Sequence, residues 1–283
     1  NIEIMQKHKK NSPWRNNNLI GKYFQDHLGL FIGKIKLSSK EKFNNVFLNG
    51  FIGKDKYQPK IKAQYKLKSF TYGISGEIKT LKETETESKF LREFYYEKSF
   101  VSFFNLFKLL KYLNFDLFRK IFHFLVYKKI LFTDYKKLFF YVQCEQKPIP
   151  SSKLYFDQSK KEKKLNLNWK IEGDELKIIK RFVNDVNYYF HQNGIGKIEC
   201  KILNKLNINH FKKNLRDTNH PSGGLLISNH KNKGVVDKNL KVWNTSNVFV
   251  NGSVTFPCSS HANITLTSLA LSEKLASYIK KNY

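Results

Sequence analysis

The stretch from Asp174 to His191 constrains the fold of this chain more than any other. Leu176, Ile179, Phe182, Val183 and Val186 recur at three- and four-residue spacing, so they share one face of an α-helix. Gly194 and Gly196 then stop the helix. A helix with one apolar face must bury it against a second layer. The preceding residues supply strand patterns for that layer. Leu165, Leu167, Trp169 and Ile171 alternate with polar neighbours, the period of a strand with one buried face. Phe139 to Gln146 reads as another strand, closed by Pro148 and Pro150. Lys153 to Asp157 reads as a third, and the polar residues 158–164 fit a hairpin-like link.

Upstream, residues 28–76 carry short apolar segments broken by Gly29, Gly33, Gly50, Gly53, Pro59, Gly73 and Gly76, a spacing that suits strands and turns. Alternation is irregular around Phe47 to Ile52. Residues 77–93 are charged and compatible with a helix. Phe94 to Phe132 forms an aromatic-rich helical region, with Phe103, Phe107, Leu110, Leu113 and Leu117 on one face. Lys108, Lys111 and Lys128 interrupt it, so it cannot span a bilayer. The stripe reads as core, with interfacial membrane contact or a lid as the lesser alternatives. The pattern as a whole predicts an α+β fold, a largely antiparallel sheet backed by helices.

A net charge of +28 over 283 residues ordinarily suggests an anionic partner. Of 51 basic residues, however, only Arg15, Arg92, Arg119, Arg181 and Arg216 are arginine, the side chain that grips phosphates and bases as a fork. Lys, Asn, Ile, Phe and Tyr are all abundant, and a bias toward A/T-rich codons accounts for them together. No specific nucleic-acid role is expected, and the charge reads as solvated faces. Cys144, Cys200 and Cys258 are too few and too scattered for a disulfide framework or a zinc site, which favours a reduced, cytoplasmic compartment.

The candidate chemistry lies in the tail. His220-Pro221-Ser222-Gly223-Gly224 is followed by Gly234 to Asp237, by Val248 to Ser253, and by Phe256-Pro257 to Asn263. A helix is expected from about Thr265 to Lys281. Gly223, Gly224 and Gly252 permit close backbone approach to a ligand. The amides that open the last helix face whatever precedes it, an arrangement suited to an electron-rich oxygen. Read alone, His220 is as well explained as a turn residue, Asn263 as a helix cap and His27 as a structural hydrogen-bonding residue.

These motifs, in this order, resemble the glucose-methanol-choline (GMC) flavoprotein oxidoreductases. Leu19 to His27 is similar to the family's Val-Gly-Arg-x-x-x-Asp-His segment, and Glu145-Gln146-x-Pro-x-Pro-Ser to the opening of its C-terminal module. The His220 motif, Gly234 to Asp237, Asn247 to Ser253, Phe256-Pro257 and Asn263-x-Thr-Leu-Thr follow in family order. The resemblance implies an FAD enzyme that oxidises the CH–OH group of a small alcohol or sugar to a carbonyl. It places the catalytic base at His220 and its partner at Asn263. Gly252, Ser253, Asn263 and Thr265 would lie against the flavin.

The resemblance also implies three parts. Residues 1–28 would be a remnant of the FAD domain, 29–212 the substrate domain, and 213–283 a returning FAD-domain segment that carries the active site. No Gly-x-Gly-x-x-Gly turn for the ADP half of FAD occurs, so the chain is expected to be the C-terminal part of such an enzyme. Ile264 stands where the family usually has proline, and Leu225-Leu226-Ile227 replaces a more polar segment. The substrate and the electron acceptor stay open. His261, two residues before Asn263, is expected to line the site rather than act as its base. The alternative reading is a non-catalytic basic module that binds a polyanion or an anionic membrane on a flavoprotein scaffold.

Overall fold

The computed structural model describes residues 2–47, 50–52, 55–57, 59–80, 118, 122, 124–127, 129–131, 137–157, 164–200 and 207–283. Its centre is an antiparallel sheet of five strands. These are β1 (Leu28–Leu37), β4 (Lys60–Leu67), β5 (Phe70–Thr80), β7 (Leu138–Cys144) and β10 (Gly196–Ile198), in the order β10-β1-β7-β5-β4. A second sheet of three short strands joins β2 (Gly50–Ile52), β3 (Asp55–Tyr57) and β6 (Lys129–Leu131), with β2 in the middle. The mixed α and β composition and the antiparallel sheet backed by helices agree with the fold class read from the sequence.

The helix expected near residue 174 runs from Asp174 to Gln192 (α3, after α1 at Ile2–Lys7 and α2 at Lys40–Val46). Its apolar face is buried as the spacing predicts, with Leu176, Ile179, Phe182, Val183 and Val186 in the core together with Ile178 and Phe190. Phe182 stacks on Phe140 of β7 at 6.1 Å and meets Tyr65 of β4 edge-on at 6.4 Å. The helix ends as expected, with Gly194 at φ +60° and Ile195 N–H returning to the Phe190 carbonyl at 2.9 Å.

Three local expectations change. Leu165 and Leu167 do not form a buried face: they are the exposed positions of β9 (Leu165–Asn168), which among the described residues pairs only with β8 (Lys153–Phe156) in a two-stranded ribbon. A ribbon has no second layer over both faces, so alternation there does not imply burial. Only the continuation at Trp169 and Ile171 packs on the main core. Residues 77–80, grouped with a helix-compatible stretch, extend β5, where Glu77 is buried between Lys60 and Lys79. Lys129–Leu131, within the expected helical region, pairs instead with β2. Residues 118, 122 and 124–127 of that region are helical, and the stripe from Phe103 to Leu117 lies outside the described residues. Among the described residues no helix is long and apolar enough to cross a membrane.

A second, smaller core gathers both ends of the chain. Ile2, Met5 and Ile20 pack with Leu225, Val235, Val236, Leu240, Val242 and Val250. Leu271 and Leu275 of the last helix, Thr265–Asn282, lean against it. That helix becomes α5, following α4 at Ile208–Asn214. The apolar run Val248 to Val250 forms only an isolated bridge, between Lys241 and Phe249. The tail is thus held by side-chain packing and loop hydrogen bonds more than by a sheet.

Truncating Phe182 to alanine should cost about 3–5 kcal/mol, the range for large aromatic side chains in a core. Leu167→Ala should stay within about 0.5 kcal/mol, as for exposed positions. Urea midpoints of the two variants check the contrast.

Candidate active site

The segment just before β1 joins the two cores. Gln25, Asp26 and His27 are buried, and their polar groups reach three separate loops. Gln25 exchanges backbone hydrogen bonds with Ser222, each at 2.9 Å. Its side-chain Oε1 accepts from Ser259 N–H at 3.0 Å. Asp26 N–H donates to Gln146 Oε1 at 3.3 Å, and Trp169 Nε1–H donates to the same oxygen at 2.7 Å. One Asp26 oxygen, Oδ1, accepts from His27 N–H at 2.6 Å, from His220 N–H at 3.2 Å and from the Thr218 hydroxyl at 3.2 Å.

His220 is half-buried on the loop that follows α4. Asn219 before it is left-handed (φ +59°), a conformation that asparagine tolerates better than most residues. The His220 Nδ1 lies 3.1 Å from Thr218 Oγ1, and its ring stacks on that of His27 at 5.0 Å with an interplanar angle of 30°. His27 is wholly buried. Its Nε2 lies 3.0 Å from the Ser259 carbonyl, and its Nδ1 has no partner among the described residues. Burial is the main force that depresses its proton affinity below the usual 6.5; the Ser259 carbonyl opposes it and His220 adds to it.

Gly252 and Ser253 sit beside this loop. Ser253 Oγ donates to the Pro221 carbonyl at 2.8 Å, and Gly223 N–H donates to the Ser253 carbonyl at 3.0 Å. Gly223 is needed for a reason other than ligand approach: at φ +78°, a side chain there would strike the Tyr23 carbonyl. Gly252 differs. It has φ +106°, and a Cβ there would meet nothing within 4 Å, so the chain presents open space over that backbone. Asn251 fixes the turn, accepting from Gly252 N–H at 2.8 Å and donating to Ser272 of α5 at 2.6 Å.

Asn263 and Thr265 are exposed at the start of α5. The helix is capped at Ile264 without a side-chain hydrogen bond, so Asn263 does not take the capping role that its residue type suggested. The described contacts bring His220 together with His27, Gly252 and Ser253. They give no direct link between His220 and Asn263.

His261 is half-buried over Gly73 of β5, where its imidazole occupies the space a Cβ would need. Burial leads in depressing its proton affinity, followed by Lys62, His27 and Lys60. Beneath it lies the carboxylate of Glu145, which in the sequence stands out only as part of a motif. Glu145 accepts from Gly73 N–H at 2.9 Å and from Ser260 N–H at 2.8 Å, and it is nearly inaccessible. Burial raises its proton affinity, while the two amides and the Cys258 thiol lower it. It joins β5, the end of β7 and the loop carrying His261. Its place in the Glu145-Gln146-x-Pro-x-Pro-Ser motif is the one signal in the sequence. Among the described residues no group of three or more His, Cys, Asp or Glu side chains could hold a metal.

Residues 148–272 match the family model described as GMC oxidoreductase. Over this segment the chain is similar to the GMC oxidoreductases. The segment holds His220, Gly252, Ser253, Asn263 and Thr265, whereas Gln25 to His27 and Glu145 lie outside it. The solved structures that the chain resembles include pyridoxine 4-oxidase from Mesorbium loti, with 12% identity, 94% of this chain and 45% of that chain covered, and a TM-score of 0.50. A formate oxidase aligns with 12% identity over 94% and 48% of the two chains, at a TM-score of 0.46. A variant of the Aspergillus oryzae RIB40 formate oxidase, made to study FAD modification, aligns with 13% identity over the same shares, at 0.47. The chain spans about half the length of these structures. A sequence search of curated proteins gives no match.

The histidines set a pH dependence. The unfolded chain protonates His27 and His261 near 6.5, whereas the folded chain resists it. Their contribution is therefore fully present above 6.5 and lost as pH falls below it. Glu145 and Glu175, both raised by burial, act in the opposite sense, losing stability as pH rises above 4.5. Replacing His27 with Phe should flatten the loss of stability below pH 6.5, as followed by urea midpoints on either side of that value.

Proposed function

We propose that this chain is the substrate-domain and active-site part of a FAD-dependent oxidoreductase that converts a CH–OH group of a small alcohol or sugar to a carbonyl, with His220 as the base. The observation that carries this reading is the clamp between the two loops. His220 is held by Asp26 on one side, and its motif is tied to Gly252–Ser253 on the other.

The residues present suit a flavin. Gly252 offers bare backbone with open space above it, α5 begins without a side-chain cap, and His27 Nδ1 and Ser222 Oγ are buried polar atoms without partners among the described residues. Gly252, Ser253, Asn263 and Thr265 would hold the group. Bound FAD would supply the two-electron acceptor for hydride leaving the substrate carbon. The chain's own work is to receive the hydroxyl proton at the imidazole of His220. The Asn263 amide can both donate to and accept from the alcohol oxygen without competing for that proton. The stack with His27 limits rotation of the His220 ring.

The smaller core, which joins Ile2, Met5 and Ile20 to residues between 225 and 250, supports assigning both ends of the chain (1–28 and 213–283) to the FAD domain and 29–212 to the substrate domain, although Leu28 and Leu215 pack with the larger core and Leu154 with the smaller one. In the complete gene product loaded with FAD, His220→Ala should lower turnover about 10²–10⁴-fold, the usual worth of a positioned base. Unchanged turnover would overturn the role of His220. Absence of flavin uptake, together with salt-sensitive polyanion binding, would favour the basic binding module instead.

A further inference from the structure

The Thr218 hydroxyl lies between two groups that decide where its one proton goes. Asp26 Oδ1, at 3.2 Å, is a carboxylate oxygen and only accepts. His220 Nδ1, at 3.1 Å, either donates or accepts according to tautomer. With the hydroxyl proton directed to Asp26, Thr218 has only lone pairs to offer His220. The ring nitrogen facing it must then carry hydrogen, which leaves the lone pair on Nε2.

We propose that Thr218 and Asp26 form a relay that fixes His220 in its Nδ1–H tautomer, making Thr218 a positioning residue and Nε2 the atom that accepts the substrate proton. Three further observations agree. Asp26 also accepts from the backbone N–H of His220, so a single carboxylate sets the position of the residue and the tautomer of its ring. Asp26 is itself held by His27 N–H at 2.6 Å. The neighbouring imidazole of His27, whose ring faces His220, is committed elsewhere: its Nε2–H must donate to the Ser259 carbonyl. The arrangement follows the logic of catalytic triads, where an acid fixes the tautomer of a histidine and a wrong tautomer costs orders of magnitude in rate. Here a threonine hydroxyl stands between them.

This inference deepens the proposed function and depends on His220 being the base, but its first test does not require activity. Histidine-selective ¹⁵N labelling and two-bond ¹⁵N–¹H correlation spectra of the chain report which ring nitrogen carries hydrogen, and His220→Gln assigns the signals. Wild-type His220 should appear as the Nδ1–H tautomer. Thr218→Val, which keeps the shape and removes the hydroxyl, should shift it toward the Nε2–H form that free imidazole prefers, and Thr218→Ser should restore it. A wild-type ring in the Nε2–H form, or a Thr218→Val spectrum unchanged from wild type, overturns the relay.

In the complete FAD-loaded enzyme, Thr218→Val should lower kcat by about 10–10²-fold, by analogy with the hydrogen-bond partners that fix the tautomer of metal-bound histidines, with recovery in Thr218→Ser. Full turnover in His220→Ala would defeat the functional reading while leaving the tautomer result intact. A normal His220 dependence with an unchanged Thr218→Val tautomer would defeat only the relay.

Discussion

The buried carboxylate of Asp26 is the contact on which the site depends. Burying a charged group is costly unless several donors surround it. Asp26 Oδ1 has three, from His27 N–H, His220 N–H and the Thr218 hydroxyl, and these come from segments about 190 residues apart in the chain. Gln25 next to it adds the loops at 222 and 259. Buried polar networks of this kind tolerate little rearrangement, because each lost partner exposes another group to an apolar surrounding. The network therefore gives a fixed position to a loop that no sheet supports.

Around this contact the two cores divide the labour. The larger one, α3 packed on the antiparallel sheet, provides a rigid wall ending at Gly73 and Glu145. The smaller one gathers the two ends of the chain and holds the glycine-bearing loops against that wall. Glu145 performs the same service for His261 that Asp26 performs for His220, tying a loop to the strand ends by backbone amides. Each core places one histidine loop, and His27 lies between them, stacked on His220 and hydrogen-bonded to Ser259.

Much of the fold was readable from local patterns. Periodicity named the buried face of α3 residue by residue, because a lone helix on a sheet has one way to hide its apolar side. The same kind of pattern misled at Leu165 and Leu167. Alternation records that one face differs from the other, and only the layer stacked on it decides whether that face is covered. Gly223 shows a similar limit. Its need for glycine was legible, but the neighbour that requires it is the Tyr23 carbonyl, brought there by a pairing across the two cores.

By itself the sequence determined the α+β class, the extent of α3 and α5, and the candidate residues His220, Gly252, Ser253, Asn263 and Thr265. All of these follow from spacing along a few consecutive turns or from ordered motifs. The tertiary structure alone decided that His27 stacks on His220, that Thr218 and Asp26 address its ring, and that Glu145 underlies His261. Those contacts join residues two to nearly two hundred positions apart. Their energies depend on burial and direction, and neither exists until the chain has closed around them.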